Sequence, residues 1–390
     1  MFVFSGCFFS SQNQTVCYAE EEMTYEEIEQ KLEETINKQF ANLDFSRFEE
    51  ILSGFDENQS AVFGSGSFFE KLHKLTQGEF VDSQSNLWSV LINLFFDDVL
   101  EFLPLLSSIV SIAIAYSLVS TAKPKLKKNS IGDIIHFVCY GAIIVLSMSS
   151  ILSIIKTTAT TIASIKSQMD ISFPLLLTML TAVGSVSTTS VFQPSIALLS
   201  GTIMTIFSNI LMPLFIFRLV FSILSNISSN VKFNKFADLF STIFKWIIGF
   251  VFTVFLGFMT IQGITAGSFD GVSIRAAKFA VKSSVPVIGG YLSDGMNLIL
   301  SSSILIKNAI GVGGILLLFA TVIVPIIKII VFMLVLKFSS AILEPLTDSR
   351  ISSFLSMLSK SISLLVIILV GVAFMYVIMT GLVVSTGNYF

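Results

Sequence analysis

Charge is scarce in this chain of 390 residues. Asp, Glu, Lys and Arg together make up 13%, against about a quarter in ordinary soluble domains. With 53% hydrophobic residues and a mean hydropathy of +0.85, that shortfall excludes a soluble globule. Histidine is scarcer still: His73 and His136 stand alone, with no metal-ligand spacing and no Ser/His/Asp set around them. The three cysteines, Cys7, Cys17 and Cys139, form neither a zinc spacing nor a disulfide framework. No GxxxxGK[ST] loop is present, which excludes nucleotide hydrolysis through that machinery. The sequence therefore asks for no cofactor or metal and nominates no catalytic residue.

What the chain has is apolar length. Runs long enough to cross a hydrocarbon core, about 20 residues each, recur from Leu103 to the end. A barrel would show alternating segments of about ten residues instead. The pattern predicts an all-α polytopic membrane protein with about eight transmembrane helices, at 103–122, 131–155, 171–189, 192–224, 246–267, 285–306, 310–343 and 362–385. Prolines give these runs a ruler. Pro174 and Pro213 are 39 residues apart, as are Pro286 and Pro325, and the second pair follows the first by 112. "NILMPLFIFRLVFSIL" answers "ATVIVPIIKIIVFMLVL". The reading is a tandem duplication, 171–267 and 285–387, with a basic amphipathic linker at 268–284. Three spans per repeat would make the copies inverted, a common plan for proteins that move something across a bilayer. The four prolines are the expected helix breaks, because proline removes a helix bond and clashes with the preceding turn.

Charge is also unevenly placed. Between Glu20 and Glu57 there are 13 acids and three bases, a net of −10, while the remainder carries a net of +7. Residues 1–19 end in "VCYA", a weak signal-peptide pattern that would put the acidic segment after it outside the cytoplasm. In this acidic head at 20–57, Ile28, Leu32, Ile36 and Phe40 recur every fourth residue, and Phe45, Phe48, Leu52 and Phe55 continue the pattern. Acidity argues against nucleic acid or anionic lipid as the head's partner and favours a basic or polar protein surface. Residues 58–86 read as a linker, and 87–102 as an interfacial helix leading into two helices at 103–155.

Lysines in "KPKLKK" (123–128) place that loop in the cytoplasm. By alternation the 268–284 linker is cytoplasmic too, offering Asp270, Arg275, Lys278 and Lys282 as an interaction face. Lys232 and Lys235 then fall on the wrong side. Charges inside apolar runs are costly and are usually buried against protein or water. Asp294, Lys307, Asn308, Arg218 and Lys328 are therefore the candidates for a polar path or for pairing between helices. Small residues at 184–190, 263–267 and 311–314 permit close helix contact.

Three strings carry a resemblance: "SFPLLLTMLTAVGSVSTTSVFQP" (172–194), "IQGITAGSFDGVSIRAAKFAVKSSVPVIGGYLSDG" (261–295) and "SSSILIKNAIGVGG" (301–314). On these the chain resembles the stage III sporulation protein AE family of endospore-forming bacteria, from about Trp88 to the C-terminus. The resemblance implies a non-enzymatic membrane protein of the mother cell, in the outer membrane around the forespore, within a channel complex joining the two cells. Implied partners are the other stage III A proteins, including ring-forming subunits and a cytoplasmic ATPase, and through them the forespore stage II protein Q. A homo-oligomer is compatible with this role. The motif positions it singles out are Gln262, Asp270, Gly271, Arg275, Lys278, Asp294, Lys307 and Asn308. Two other readings stay open: a stand-alone secondary transporter binding a small solute near Asp294, and a membrane scaffold.

Overall fold

A computed structural model of the chain describes residues 25–78, 84–122, 130–226, 233–284, 289–345 and 349–387. Among these the regular elements are helical. Four short helices come first: α1 (Tyr25–Ala41), α2 (Ser46–Ser53), α3 (Glu57–Phe63) and α4 (Phe68–Thr76). Long ones come next: α5 (Gln84–Ala122), α6 (Ser130–Ala182), α7 (Val186–Ile206), a π-helical turn (Phe207–Leu211), α8 (Met212–Leu224), α9 (Asn234–Ser284), α10 (Gly289–Leu343) and α11 (Ser349–Ser385). Six stretches of helix are long and apolar enough to cross a membrane: Leu87–Val119, Ile134–Ala182, Val186–Leu224, Asn234–Ile264, Met296–Leu343 and Arg350–Ser385.

The eight sequence-derived spans thus join into six. The polar stretch from Lys156 to Asp170 separates runs 131–155 and 171–189 in the sequence, yet α6 passes through it unbroken. Its threonines bond back to their own helix, Thr158 to the Ile154 carbonyl and Thr161 to the Thr157 carbonyl, each at 2.8 Å, so their polarity does not end the helix. Runs 285–306 and 310–343 likewise merge in α10, 55 residues and about 80 Å long at 1.5 Å per residue. Pro174 and Pro325 sit inside α6 and α10 and do not break them. Pro213 opens α8 directly after the π-helical turn, where a wider turn accommodates the missing donor. Pro286 lies outside the described residues.

The joining also corrects the inverted repeat. α10 and α11 are antiparallel: Ser340 meets Ser352 near one end, and Lys307 reaches the Thr386 carbonyl near the other. α7 and α8 run the same way as α10, because Phe207 lies against Gly371 and Arg218 against Ser361 of α11. α9 returns alongside α11, from the Ser225–Asn234 contact to Gly263 beside Leu382. Each proline-bearing half contributes two crossing helices, an even number, so the halves point in the same direction. Tyr140 of α6 reaches the Ile223 carbonyl and packs on Phe354. The ends of α5, α8 and α10 and the starts of α6, α9 and α11 therefore share one end of the molecule, and the end of α9 at Ser284 lies at the other.

The first four helices fold into a small unit. Its core is aromatic, with Phe48 stacked on Phe68 at 4.2 Å and Phe40 edge-on to Phe69 at 5.4 Å. The 58–86 linker reading is corrected here, since α3 and α4 occupy much of it. Asp56 and Gln59 form a reciprocal cap on α3, and Ser67 caps α4, signals that start a helix in polar sequence. The 87–102 stretch is no separate interfacial helix; it continues into α5. The unit packs along α10, and also on α5 and α6. Gly313 makes this fit possible: a Cβ there would stand 2.7 Å from Leu72 and 3.3 Å from Phe68.

Lys71 is buried in this unit, its Nζ donating to the Phe63 carbonyl at 2.8 Å and lying over the Phe63 ring. Burial, aided by Lys74 and opposed by Glu70, pushes the Lys71 ammonium below its ordinary value of 10.5. The unfolded chain then binds that proton more tightly than the folded one. Stability of the unit rises with pH between the depressed value and about 10.5, and is insensitive to this group below that window. The difference in unfolding free energy between wild type and Lys71→Met, measured by thermal melts from pH 7 to 10.5, is expected to grow in favour of wild type across that window.

Candidate functional site

Polar groups gather on one face of α10. Thr321 precedes Pro325 by four, and proline cannot donate to the carbonyl four residues back. The freed Thr321 carbonyl accepts from Gln59 Nε2 of α3 at 3.4 Å, so the proline creates an acceptor that the N-terminal unit fills. The Thr321 hydroxyl in turn accepts from Gln168 Nε2 of α6. Around this junction lies a cavity of about 440 Å³, lined by Asp56 and Gln59, by Asp97, Asp98 and Glu101 of α5, by threonines of α6, and by Lys328. Lys328 Nζ pairs with Glu101 Oε2 at 2.8 Å. Among the described residues no group of three His, Cys, Asp or Glu is placed to hold a metal ion.

From Thr321 the polar groups continue along α10 toward its start. Ser172 of α6 and Tyr376 of α11 share a hydrogen bond of 2.9 Å. Gly314 makes room for it, since a Cβ there would come within 2.8 Å of the Tyr376 hydroxyl. Gly311 lets α11 close in at Val384 and Thr380. Lys307, fully buried, donates to the Thr386 carbonyl. Gly387, at φ 83°, ends α11 beside Ser185 and Lys307, as glycine commonly does at a helix C-terminus. Gln168 Oε1 and Ser185 Oγ are buried along this seam without a partner among the described residues. Lys307 and Lys328 are 21 residues apart, about 31 Å of helix, close to the thickness of a hydrocarbon core.

The residues singled out from sequence are distributed unevenly over this site. Lys307 and Lys328 mark its two ends. Asn308 is half-buried, with Oδ1 lacking a partner among the described residues. Arg218 stands apart: it is buried on α8, with Nε donating to Ser361 Oγ at 3.1 Å and Ser222 nearby. Gln262 donates to Ser195 Oγ at 2.7 Å, joining α9 to α7. Asp270, Gly271, Arg275, Lys278 and Lys282 fall in α9, and Asp294 in α10, with side chains outside the described residues. Sequence reading missed Gln59, Gln168, Thr321 and Tyr376. The available signal was the Thr321–Pro325 spacing, and a lone tyrosine in an otherwise apolar stretch.

A family model described as "Stage III sporulation protein AE" matches residues 67–387. The chain is 26% identical over 298 residues to "Stage III sporulation protein AE" of Bacillus subtilis (strain 168), an alignment covering 76% of this chain and 75% of that one. No solved structure matches.

Lys307→Met keeps the side-chain volume but removes the bond to Thr386. Losing a hydrogen bond from a charged donor costs about 1.5–3 kcal/mol. The expected result is faster amide exchange over 382–387, with exchange at the centre of α6 unchanged.

Proposed function

The chain belongs to the stage III sporulation protein AE family, and from that premise we propose that it is a multi-pass membrane component of the channel complex joining mother cell and forespore. It works without catalysis, together with the other stage III A proteins, including the ring-forming subunits and the cytoplasmic ATPase, and through them with the forespore stage II protein Q. The observation that carries this reading is the family match across 67–387, which takes in all six long apolar helices.

Orientation rests on the shared end of the three connections. The flanks of "KPKLKK" and of the α8–α9 connection, with Lys232 and Lys235, come to the same end. The basic-loop rule assigns that end to the mother-cell cytoplasm, and the conflict over Lys232 and Lys235 disappears. The N-terminal unit and residues 268–284 then lie on the other side, toward the space between the membranes. This reverses the side assigned to 268–284 by alternation.

A stand-alone transporter is the alternative reading, although Gly311 and Gly314 bring α10 and α11 into contact along part of the polar seam. A scaffold without a conducting role is separated by experiment. Deletion of the gene is expected to block late forespore gene expression, and the wild-type chain to restore it. In proteoliposomes the chain alone is expected to give no small-molecule flux. Flux from the chain alone that Asp294→Asn abolishes would favour the transporter. Full sporulation with charge removed at Asp294, Lys307 and Arg275 together would favour the scaffold.

A further inference from the structure

Charge-free stretches lie at different heights on the two flanks of the bundle, and α10 serves as a scale for height. Ser340 meets Ser352, and Ser359 reaches the Met333 carbonyl, so facing residues of α10 and α11 have numbers that add to 692. Gly263 lies against Leu382 and Phe252 against Gly371, so neighbours on α9 and α11 differ by 119. By these two relations the charge-free stretch 246–269 of α9 lies beside residues 327 to 304 of α10. On the other flank Glu101 pairs with Lys328, and Phe102 packs on Phe332. α5 runs parallel to α10 and is free of charge over 102–122. That stretch starts beside Phe332 and continues for about 30 Å, past the end of α10. The two stretches are thus offset by about 25 residues, or about 37 Å along the helix axes.

Both stretches face outward. Trp246, Phe250, Ile261 and Ile264 of α9 are 66–76% exposed, and Leu118 of α5 with Ile134, Phe137 and Val145 of α6 are 58–73% exposed. At the height of each stretch the opposite flank is charged. Level with the α9 stretch, exposed Lys166 and Asp170 of α6 stand either side of Gln168, which bonds Thr321. The N-terminal unit meets α10 over the same heights, at Ser302, Gly313 and Thr321. Level with the α5 stretch, exposed Lys235 and Asp238 of α9 lie beside residues 338 and 335. A bilayer perpendicular to α10 therefore immerses one charged set or the other in hydrocarbon, which is costly. A slanted one covers both apolar stretches and leaves both sets in water. Exposed lysines grade along the same slant: Lys245 of α9, Lys360 of α11 and Lys337 of α10 stand at 328, 332 and 337 on the α10 scale. The lysines of "KPKLKK" follow Ala122 on the α5 flank.

We propose that the protein crosses the bilayer obliquely. Lipid covers 246–269 of α9 on one flank. On the other it covers 102–122 of α5 and 134–155 of α6, about 37 Å nearer the end where α5, α8 and α10 finish. Lipid is the occupant because each stretch is close to the hydrocarbon core in length and is bounded by charge at both ends, between Lys245 and Asp270, Glu101 and Lys123, and Asp133 and Lys156. A protein partner requires neither. Helix axes lie 8–10 Å apart, so the three steps from α9 through α11 and α10 to α5 span about 27 Å. A tilt of about 40°, the top of the usual range, absorbs about 23 Å of the offset over that width. Bending and thinning of the lipid against the chain absorb the rest. This goes beyond the channel-component reading, and it keeps the N-terminal unit in water on the side toward the space between the membranes.

The test uses the purified full chain in vesicles of phosphatidylethanolamine and phosphatidylglycerol, where no other protein can cover either flank. With Trp88 and Trp246 replaced by phenylalanine, Phe250→Trp and Phe137→Trp are each expected to be quenched more by lipid with brominated tails than by acrylamide. With Cys7, Cys17 and Cys139 replaced by serine, Lys166→Cys, level with Phe250, is expected to react with a membrane-impermeant maleimide present on both faces. Phe236→Cys, level with Phe137, is expected to react as well. Stronger quenching by acrylamide at Phe250→Trp would leave lipid at the lower height alone, and at Phe137→Trp at the upper height alone. Either result, or protection of either cysteine, would overturn the proposal. The sporulation phenotype of the deletion is independent of these outcomes, so the oblique crossing can fail while the family role stands.

Discussion

The fold depends on how closely other helices approach α10. It is continuous over 55 residues, and two of its sides lack Cβ atoms where neighbours must press in. Gly311 and Gly314 admit α11, and Gly313 admits α4. In a bilayer, helix association gains little from excluding lipid, and close packing of small residues supplies much of the attraction. The "GVGG" string therefore fixes two interfaces at once: one inside the helical bundle and one between the bundle and the N-terminal unit. The polar bonds then set register. Gln39 donates to Ser302 Oγ at 2.9 Å and accepts from Ser303 Oγ at 3.0 Å, and Gln59 takes the carbonyl freed by Pro325.

Proline plays a different part here from its usual one. An interior proline costs a helix about 3 kcal/mol when nothing compensates. At Pro325 the orphaned acceptor is paired from outside the helix. At Pro174 the flanking Phe173, Leu176 and Leu177 are buried, and tertiary packing outweighs local preference. Only at Pro213 does the backbone change, through the π-helical turn before it.

Some of this is legible in the sequence and some is not. Apolar run length reveals the helical membrane class, and period-four hydrophobics reveal α1 and α2. The polar stretch 156–170 and the prolines look like boundaries in the sequence, because the partners that compensate them, Gln59 above all, are distant along the chain. Counting those boundaries as span ends changes the parity, and parity alone turns a parallel duplication into an inverted one. Residues 58–86 read as a linker because glycine and serine make up half of its opening stretch, 58–67. The Asp56–Gln59 and Ser67–Glu70 caps are visible in the sequence and point the other way. Lys307 and Lys328 stand out because a charge in an apolar run is conspicuous. Their alignment on one face, 21 residues apart, emerges only with the continuity of α10.

The most direct test of this account is a disulfide crosslink between Gln39→Cys and Ser302→Cys, made in native membranes of the full chain with its own cysteines removed. Rapid, near-complete formation on mild oxidation, with Gln39→Cys failing to link to a control cysteine at Phe250, is the result expected if the N-terminal unit lies along α10. No link to Ser302→Cys, or equal linking to the α9 position, would contradict it.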